Sequence, residues 1–416
     1  MAQFAIHPIH RFHGQSQPEF TCFSYDDEHA LHLDGRSLRW YYPPQFPQGM
    51  DLSRGFDTFV KHDDDGVDEH LDSLLAAVVA HEQATRAKID AQVLTWRGMM
   101  TKIMATPYDD RDGFIEENHA YKVASRRQQE ARQSRPPPRQ NPDRPWFPPD
   151  VMSYWGYKFE ALATLPRPWG EVSRDEIEGR DNAVVSNKAQ YCSVVRTGIG
   201  STVLCLGGEV DAVWDAKPTT AKTTPTPTPP IHWVELKTSA EIQSARDLEF
   251  FERKLLKFWI QSFLLGVPTI VVGFRSKQGR LVRLEEIATE GIPGTVKQRA
   301  AAQAQQTPSA QSPQSLQSPL WDGDTCINFA SAFLAWLRET MAGSDGVWRI
   351  RRKAGSPAID VFPVEETGHG SILPDTFLNW RIKLALGDDT TSGAAADRSA
   401  PDGGSSAPSD PGQGGG

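Results

Sequence analysis

The chain has 416 residues, with 44 lysines and arginines against 53 acids, a net charge of -9 and 38% hydrophobic residues. That length holds one large or two ordinary domains with a real core. The acidic balance argues against nucleic-acid binding by the molecule as a whole, though a local groove can still be basic. Cys22, Cys192, Cys205 and Cys326 are scattered without CxxC spacing, which excludes a structural zinc site and a dense disulfide framework and fits a reducing compartment.

The first residues carry His7, His10 and His13 without a long apolar run or an accompanying ligand pattern, so neither a secretory signal nor a metal site is expected there. Leu71, Leu74, Leu75, Val78 and Val79 recur at helical spacing and predict a helix over 70–90, followed by a strand at 93–96. Residues 126–150 are rich in Arg, Gln and Pro and read as a disordered insert. Its Arg126, Arg127, Arg132, Arg135, Arg139 and Arg144 suit a solvated linker, a nuclear import signal or an RNA-backbone contact whose affinity falls with salt. Strands are expected over 191–196, 203–214 and, beyond a Thr-Pro insert at 217–230, over 232–237.

Leu248, Phe251, Leu255, Trp259 and Leu265 make one stripe of a helix over 244–265, stopped by Gly266-Val267-Pro268. The apolar stretch around it, 255–272, is broken by Lys257, Gln261 and Pro268, so no membrane span is expected and the protein reads as soluble and intracellular. A strand at 269–275, a Gln-Ser-Pro insert at 300–319 and a helix at 328–341 follow. The tail 388–416 has no periodic apolar positions and cannot offset its chain entropy by burial. Strands mixed with helices in this order give an α/β (α+β) fold, a mixed sheet covered by helices in one domain over 1–387.

Two short acidic strings carry the chemistry: Glu209-Val210-Asp211 and Glu235-Leu236-Lys237. In an extended strand alternate side chains share a face, so Glu209 pairs with Asp211 and Glu235 with Lys237. If the strands are neighbours, three carboxylates and one ammonium converge. Like charges about 5 Å apart repel by roughly 3 kcal/mol per pair at an effective dielectric near 20, so the cluster calls for a cation. Oxygen-only ligands point to Mg²⁺ or Mn²⁺. Asp211 and Glu235 would hold the ion, and Lys237 would orient the attacking water or neutralise a phosphate. The order acidic strand, loop, Glu-x-Lys strand, helix is that of the PD-(D/E)xK nuclease arrangement.

Longer stretches extend the pattern: Thr95-Trp96-Arg97-Gly98, Gly156-Tyr157-Lys158-Phe159-Glu160 after Ser153-Tyr154-Trp155, Gly208-Glu209-Val210-Asp211, and Val234-Glu235-Leu236-Lys237-Thr238-Ser239. Together they resemble the four signature motifs of the DXO/Rai decapping nuclease family. Leu38-Arg39-Trp40-Tyr41-Tyr42, Asp68-Glu69-His70-Leu71-Asp72, Tyr191-Cys192-Ser193-Val194 and Lys254 to Phe263 also match, in the right order from about Phe23 to Trp380. Gly55 to Phe59 with His62-Asp63-Asp64 looks most like the fungal branch.

The resemblance implies two packed mixed sheets with surrounding helices, a deep pocket and two divalent ions. Glu160, Asp211 and Glu235 match direct metal ligands, completed by the Leu236 carbonyl, with Glu209 acting partly through water. Lys237 and Gln261 match residues near the scissile phosphate. Arg97, flanked by Trp96 and Gly98, matches a contact to the 5′ nucleotide or its phosphates. Arg39, Glu69, Cys192 and Ser153 match pocket positions, Ser153 at a place where family members differ. Taken singly, Arg97 reads as an ion-pair partner, Gln261 as a solvated helix face, Glu160 as a helix-surface acid and Cys192 as a small core residue. Trp40, Trp155 and Trp233 suit base stacking or simple packing.

What the resemblance implies for function is a nuclear, and also cytoplasmic, metal-dependent hydrolase of RNA 5′ ends that serves RNA quality control. It would release pyrophosphate from triphosphorylated ends, remove unmethylated or incomplete guanosine caps and NAD caps, and degrade exposed RNA from its 5′ end. Binding to a nuclear 5′-3′ exoribonuclease is also implied. The alternative is a non-catalytic stabilising partner of that exoribonuclease, and a third reading is a DNA nuclease on the same metal framework.

Overall fold

The structure, a computed structural model, describes residues 19–45, 47–62, 70–109, 127, 146–217, 230–306, 319–343, 346–352, 356, 358–364 and 372–393. One sheet holds β1 (Glu19–Tyr25), β2 (Leu31–His32), β4 (Val93–Trp96), β6 (Gln190–Ile199) and β7 (Thr202–Glu209) in the order β2-β1-β6-β7-β4. The other holds β3 (Trp40–Tyr41), β5 (Thr164–Leu165), β8 (Ala212–Val213), β9 (Trp233–Ala240), β10 (Thr269–Arg275) and β11 (Leu281–Ala288) in the order β11-β10-β9-β8-β3-β5. Both are mixed: β4 runs parallel to β7, and β9 to β10, within otherwise largely antiparallel sets. A hairpin of β12 (Trp348–Arg352) and β13 (Ile359–Pro363) forms a third, two-stranded sheet that packs Ile350 and Ile359 on the main core.

The helices are α1 (Asp72–Thr85), α2 (Arg97–Ala105), α3 (Pro149–Ala163), α4 (Arg174–Gly179), α5 (Ala245–Leu265), α6 (Ile292–Gln306) and α7 (Gly323–Met341). Residues 1–373 form one compact unit. A second, 374–416, contains α8 (Asp375–Gly393), which continues past the expected start of the tail at 388.

The main core lies between the two sheets. Tyr191, Val195 and Leu206 of one sheet meet Trp233, Ile270 and Val272 of the other, with Met104 of α2, Leu264 of α5 and Phe333 of α7. A second layer on the far side of the six-stranded sheet joins Val234, Leu236 and Val271 to Trp155, Phe159 and Leu162 of α3. Strand alternation then fixes β9: Trp233 faces the main core and Val234 and Leu236 face α3, so Glu235 and Lys237 point back between the sheets. α5 is the crossover between parallel β9 and β10. It is capped by Ser244, whose side chain accepts from the Asp247 N–H, and ended by Gly266 at φ 69.

Several expectations change. The strand read over 203–214 is two, because β7 ends at Glu209 in one sheet and β8 begins at Ala212 in the other. Val210 and Asp211 carry the chain across. The insert expected at 300–319 is helical to Gln306, as α6 runs through alanines and glutamines that favour helix. The insert at 126–150 gives way to α3 at Pro149, since proline suits the first helical turn. The helix read from 328 begins at Gly323, capped by Asp322, which accepts from the Thr325 N–H. Residues 128–145 and 307–318 of these inserts, with Arg126, His7, His10 and His13, lie outside the described residues. Among the described residues no cysteine forms a disulfide, and no helix is long and apolar enough to cross a membrane.

α3 can lie flat on β10 only because Gly273 has no side chain: a Cβ there would stand 2.9 Å from the buried Phe159 ring. We expect Gly273→Ala to lower stability by about 1–3 kcal/mol through overpacking. Gly156→Ala, in the same helix with open space around it, should raise stability by about 0.5–1 kcal/mol. Denaturant midpoints of the two variants check this.

Candidate active site

The site is built where the chain changes sheets. Glu235 and Lys237 share a face of β9, and Lys237 Nζ lies 2.6 Å from Glu235 Oε1. This short, charge-assisted contact buries the oxygen against the ammonium. Arg97, at the first position of α2, donates Nη1 to Glu235 Oε2 at 3.3 Å. It reaches that far because β7 carries two glycines. A Cβ on Gly208 would stand 2.8 Å from Arg97 Cβ, and one on Gly207 would stand 2.9 Å from the Trp96 ring.

Asp211 accepts the Leu236 N–H at 2.6 Å, which pins the crossing segment to β9. Glu209 ends β7 opposite Cys192 of β6. Glu160 comes from α3, on the other side of the six-stranded sheet, and its carbonyl accepts from Thr164 Oγ1 at 2.8 Å. The same hydroxyl accepts from Arg39 Nε at 2.7 Å. Gln261 shares a helix face with Lys254 and Leu265. Lys254 bonds Ser239 Oγ at 3.3 Å, and Leu265 would touch a Cβ on Gly208, so this face of α5 overlies β9 and the end of β7.

The electrostatics divide the acids into two kinds. Burial alone would raise Glu235, yet Lys237 and Arg97 outweigh it and hold its carboxyl below the usual range. Burial works against Lys237 as well, but Glu235 and Asp211 keep its ammonium above its ordinary value. Asp211 is pushed up to about 7, by burial first and then by Glu235. Glu160 is raised well above a normal carboxyl by burial and by Asp211 and Glu209, and burial also raises Glu209 against the pull of Arg97. Two cations serve one acid, and three acids are left crowded.

Glu160, Glu209 and Asp211 line a cavity of about 590 Å³ with Arg39, Tyr157, Thr164, Arg180 and Tyr191. Of the expected pocket residues, Arg39 is on its wall, and Cys192 is buried beside Glu209 without lining it. Ser153 is exposed on α3, two turns before Glu160 on the same face. Gly98 is exposed on the first turn of α2, and Glu69 lies outside the described residues. Trp96 is a packing residue: it donates Nε1 to the His70 carbonyl at 2.8 Å and meets Phe23 edge-on. Trp155 and Trp233 are buried in the two cores, and Trp40 is half-buried against the main one.

Sequence reading missed Thr164 and Arg180. A Thr at the end of a helix, able to bond back one turn, was the available signal for Thr164. Arg180 sits in a charged stretch without a pattern.

Among the described residues no three His, Cys, Asp or Glu side chains stand ready as a coordination shell. Glu235 is turned to Lys237 and Arg97, and Asp211 to the Leu236 N–H. The donor set nevertheless suits a hard divalent cation. It is oxygen only, and it holds carboxyls raised by burial and then by one another's charge.

Comparison with known proteins agrees with this chemistry. Residues 16–378 match a family described as RAI1 like PD-(D/E)XK nuclease. The decapping nuclease RAI1 of Gibberella zeae is 56% identical over 409 residues, covering 94% of this chain and all of the relative. The crystal structure of Candida albicans Rai1 in complex with pU5-Mn²⁺ is 30% identical with a TM-score of 0.75, covering 89% of this chain and 96% of that one. That of Scheffersomyces stipitis Rai1 in complex with (3′-NADP)⁺ and calcium ion has a TM-score of 0.77 at 26% identity, covering 92% and 100%.

A carboxyl raised in the fold contributes stability that is complete below its unfolded value and lost as pH climbs through its folded one. For Asp211 that window runs from the ordinary 3.8 to about 7. In chelator at pH 8, Asp211→Asn should therefore be more stable than the unaltered chain, by on the order of 2 kcal/mol after discounting for residual solvent contact. The gap should close near pH 4. Adding Mn²⁺ should raise the melting temperature of the unaltered chain and leave that of the variant nearly still. Thermal melts across pH, with and without Mn²⁺, check both statements.

Proposed function

The chain belongs to the RAI1 like PD-(D/E)XK nuclease family, and from that premise we propose that it is a divalent-metal-dependent hydrolase of RNA 5′ ends. One observation carries the proposal: Asp211, Glu209 and Glu160 wall a cavity beside the Glu235–Lys237 pair, with more negative charge than the local cations offset. The ligands of the related proteins point the same way, as pU5-Mn²⁺ and (3′-NADP)⁺ with calcium both join phosphorylated nucleotides to a divalent ion.

Glu160, Glu209, Asp211, Glu235 and the Leu236 carbonyl are the groups that would hold Mg²⁺ or Mn²⁺. When bound, such ions neutralise charge and make water acidic enough to attack phosphorus near neutral pH. The rest falls to the chain. Lys237, tethered on one side by Glu235, offers its remaining hydrogens to the attacking water or to a phosphate oxygen. Arg97 offers a planar fork to the same phosphate, and Gln261 reaches it from α5. Phosphoryl transfer asks for in-line positioning and charge neutralisation, which these fixed side chains provide. Of the remaining expected contacts, Arg39 is the one on the cavity wall and is assigned to the bound 5′ end.

One such centre serves triphosphate, incomplete guanosine-cap and NAD-cap ends, since each reaction hydrolyses a bond on the RNA-body side. It also serves stepwise 5′-3′ degradation. A purely scaffolding role gives no reason to keep mutually repelling acids. Within the proposal the protein works in the nucleus, bound to a 5′-3′ exoribonuclease that consumes the exposed RNA.

The test offers the purified protein RNAs with triphosphate, guanosine-cap, NAD-cap and monophosphate ends in Mn²⁺ or Mg²⁺. Pyrophosphate, the cap moiety or NAD should be released, and Asp211→Ala should lower turnover by about 100-fold or more with an unchanged circular dichroism spectrum. Undiminished release by that variant overturns the proposal. Cell fractionation and co-purification of a 5′-3′ exoribonuclease test location and partnership separately.

A further inference from the structure

The cavity that holds the acids also carries two guanidiniums without an acidic partner. Arg39 spends Nε on Thr164 Oγ1, and among the described residues it forms no ion pair. Arg180 gives Nη1 to the carbonyls of Tyr42 and Leu162 at 2.7 and 2.6 Å and Nε to that of Ile177 at 2.9 Å. Its Nη2 carries no bond among the described residues, and Tyr42 lies beneath the guanidinium with the ring centre 5.2 Å away. Glu176, one turn before Arg180 and also on the cavity wall, is taken by Arg167 at 3.1 Å. Asp27 and Glu160 lie within electrostatic reach of Arg39, yet neither pairs with it. Burial disfavours the charge of Arg180, and Arg39 is close enough to add to that. Carbonyls alone are weak compensation for a half-buried cation.

Three guanidinium nitrogens therefore remain to be met: Nη1 and Nη2 of Arg39, and Nη2 of Arg180. Hydrogen bonds tie Arg39 to the acid-bearing helix. The Thr164 hydroxyl accepts from Arg39 Nε and donates to the Glu160 backbone carbonyl, so the Arg39 guanidinium sits beside the last turn of α3, and Arg180 shares the cavity wall with it. We infer that Arg39 and Arg180 together receive the pyrophosphate linkage on the leaving side of the substrate, which makes Arg180 a binding residue of this site. The inference rests on the 5′-end reading above and names the group that the leaving side must carry. Guanidinium forks suit adjacent phosphates, where a lone ammonium would grip one oxygen. The linkage has three sources of the same chemistry: the outer phosphates of a triphosphate end, the diphosphate of an NAD cap and the triphosphate bridge of a guanosine cap.

Calorimetry in chelator with inorganic pyrophosphate and inorganic phosphate as probes tests the subsite without turnover. Pyrophosphate should bind the unaltered protein at least about 10-fold more tightly than phosphate, and Arg39→Gln and Arg180→Gln should each remove most of that preference. Because Arg180 also ties three carbonyls, Arg180→Lys serves where the glutamine variant does not fold; it keeps the charge, loses the fork and should lose the preference too. With metal and RNA, kcat/KM of the Arg180 variant should fall by about 10-fold on triphosphate, NAD-cap and guanosine-cap ends alike. A fall on one of these alone keeps the subsite and identifies its source. No preference for pyrophosphate in the unaltered protein, or a full preference in a folded Arg180 variant, overturns the inference. A protein that prefers pyrophosphate but turns over no RNA retains the subsite and loses the 5′-end reading.

Discussion

Repulsion among four carboxylates is the constraint around which the rest of this structure is arranged. Each arrives on a different piece of chain: Glu160 on α3, Glu209 at the end of β7, Asp211 in the crossing between sheets, Glu235 on β9. No local sequence preference brings them together. The cohesion comes from elsewhere, chiefly from apolar packing between the two sheets and from α3 against the second face. The two cations are unevenly shared. Arg97 and Lys237 both turn to Glu235, which keeps its charge, and Asp211 and Glu160 are left to rise. A fold that concentrates its unfavourable charge at one spot gives that spot a strong thermodynamic preference for a divalent cation.

Bringing those groups into reach requires elements to lie closer than side chains usually allow, and glycine is the means. Gly207 and Gly208 let the start of α2 settle on β7, with Trp96 filling one face and Arg97 directed to Glu235. Gly273 lets Phe159 press against β10, and through it sets the height of α3 and of Glu160 one residue later. Gly279, at φ 77, does the same under Trp155, where a Cβ would stand 2.6 Å from the ring. The aromatic residues around Glu160 are thus its mounting. Their burial decides where the carboxylate stands.

Much of this was legible because the chemistry is written in short repeats of known geometry. The alternation in Glu235-Leu236-Lys237 is a property of any strand, and the structure keeps it. The stripe from Leu248 to Leu265 and its glycine stop defined α5 to within one residue, because an amphipathic helix with both caps leaves little ambiguity. The break at Val210–Asp211 was not legible. Residues 203–214 alternate well enough for one strand, and only the pairing of Ala212 with Val234 in the other sheet interrupts them. α3 was hidden behind prolines whose composition suggests disorder, although proline at the first turn is compatible with helix. Arg180 was unreadable for a deeper reason. Its environment consists of backbone carbonyls from three separate segments, and such contacts leave no trace in residue type.

The cavity wall carries both signs of charge. Glu160, Glu209 and Asp211 share it with Arg39 and Arg180, and one hydroxyl, that of Thr164, accepts from Arg39 Nε and donates to the backbone carbonyl of Glu160. Were divalent cations to neutralise the acids, the guanidiniums would leave the wall attractive to phosphate, and a group with several phosphate oxygens would meet more of these donors than a single phosphate. The overall charge of -9 makes such a local attraction the exception on an acidic molecule.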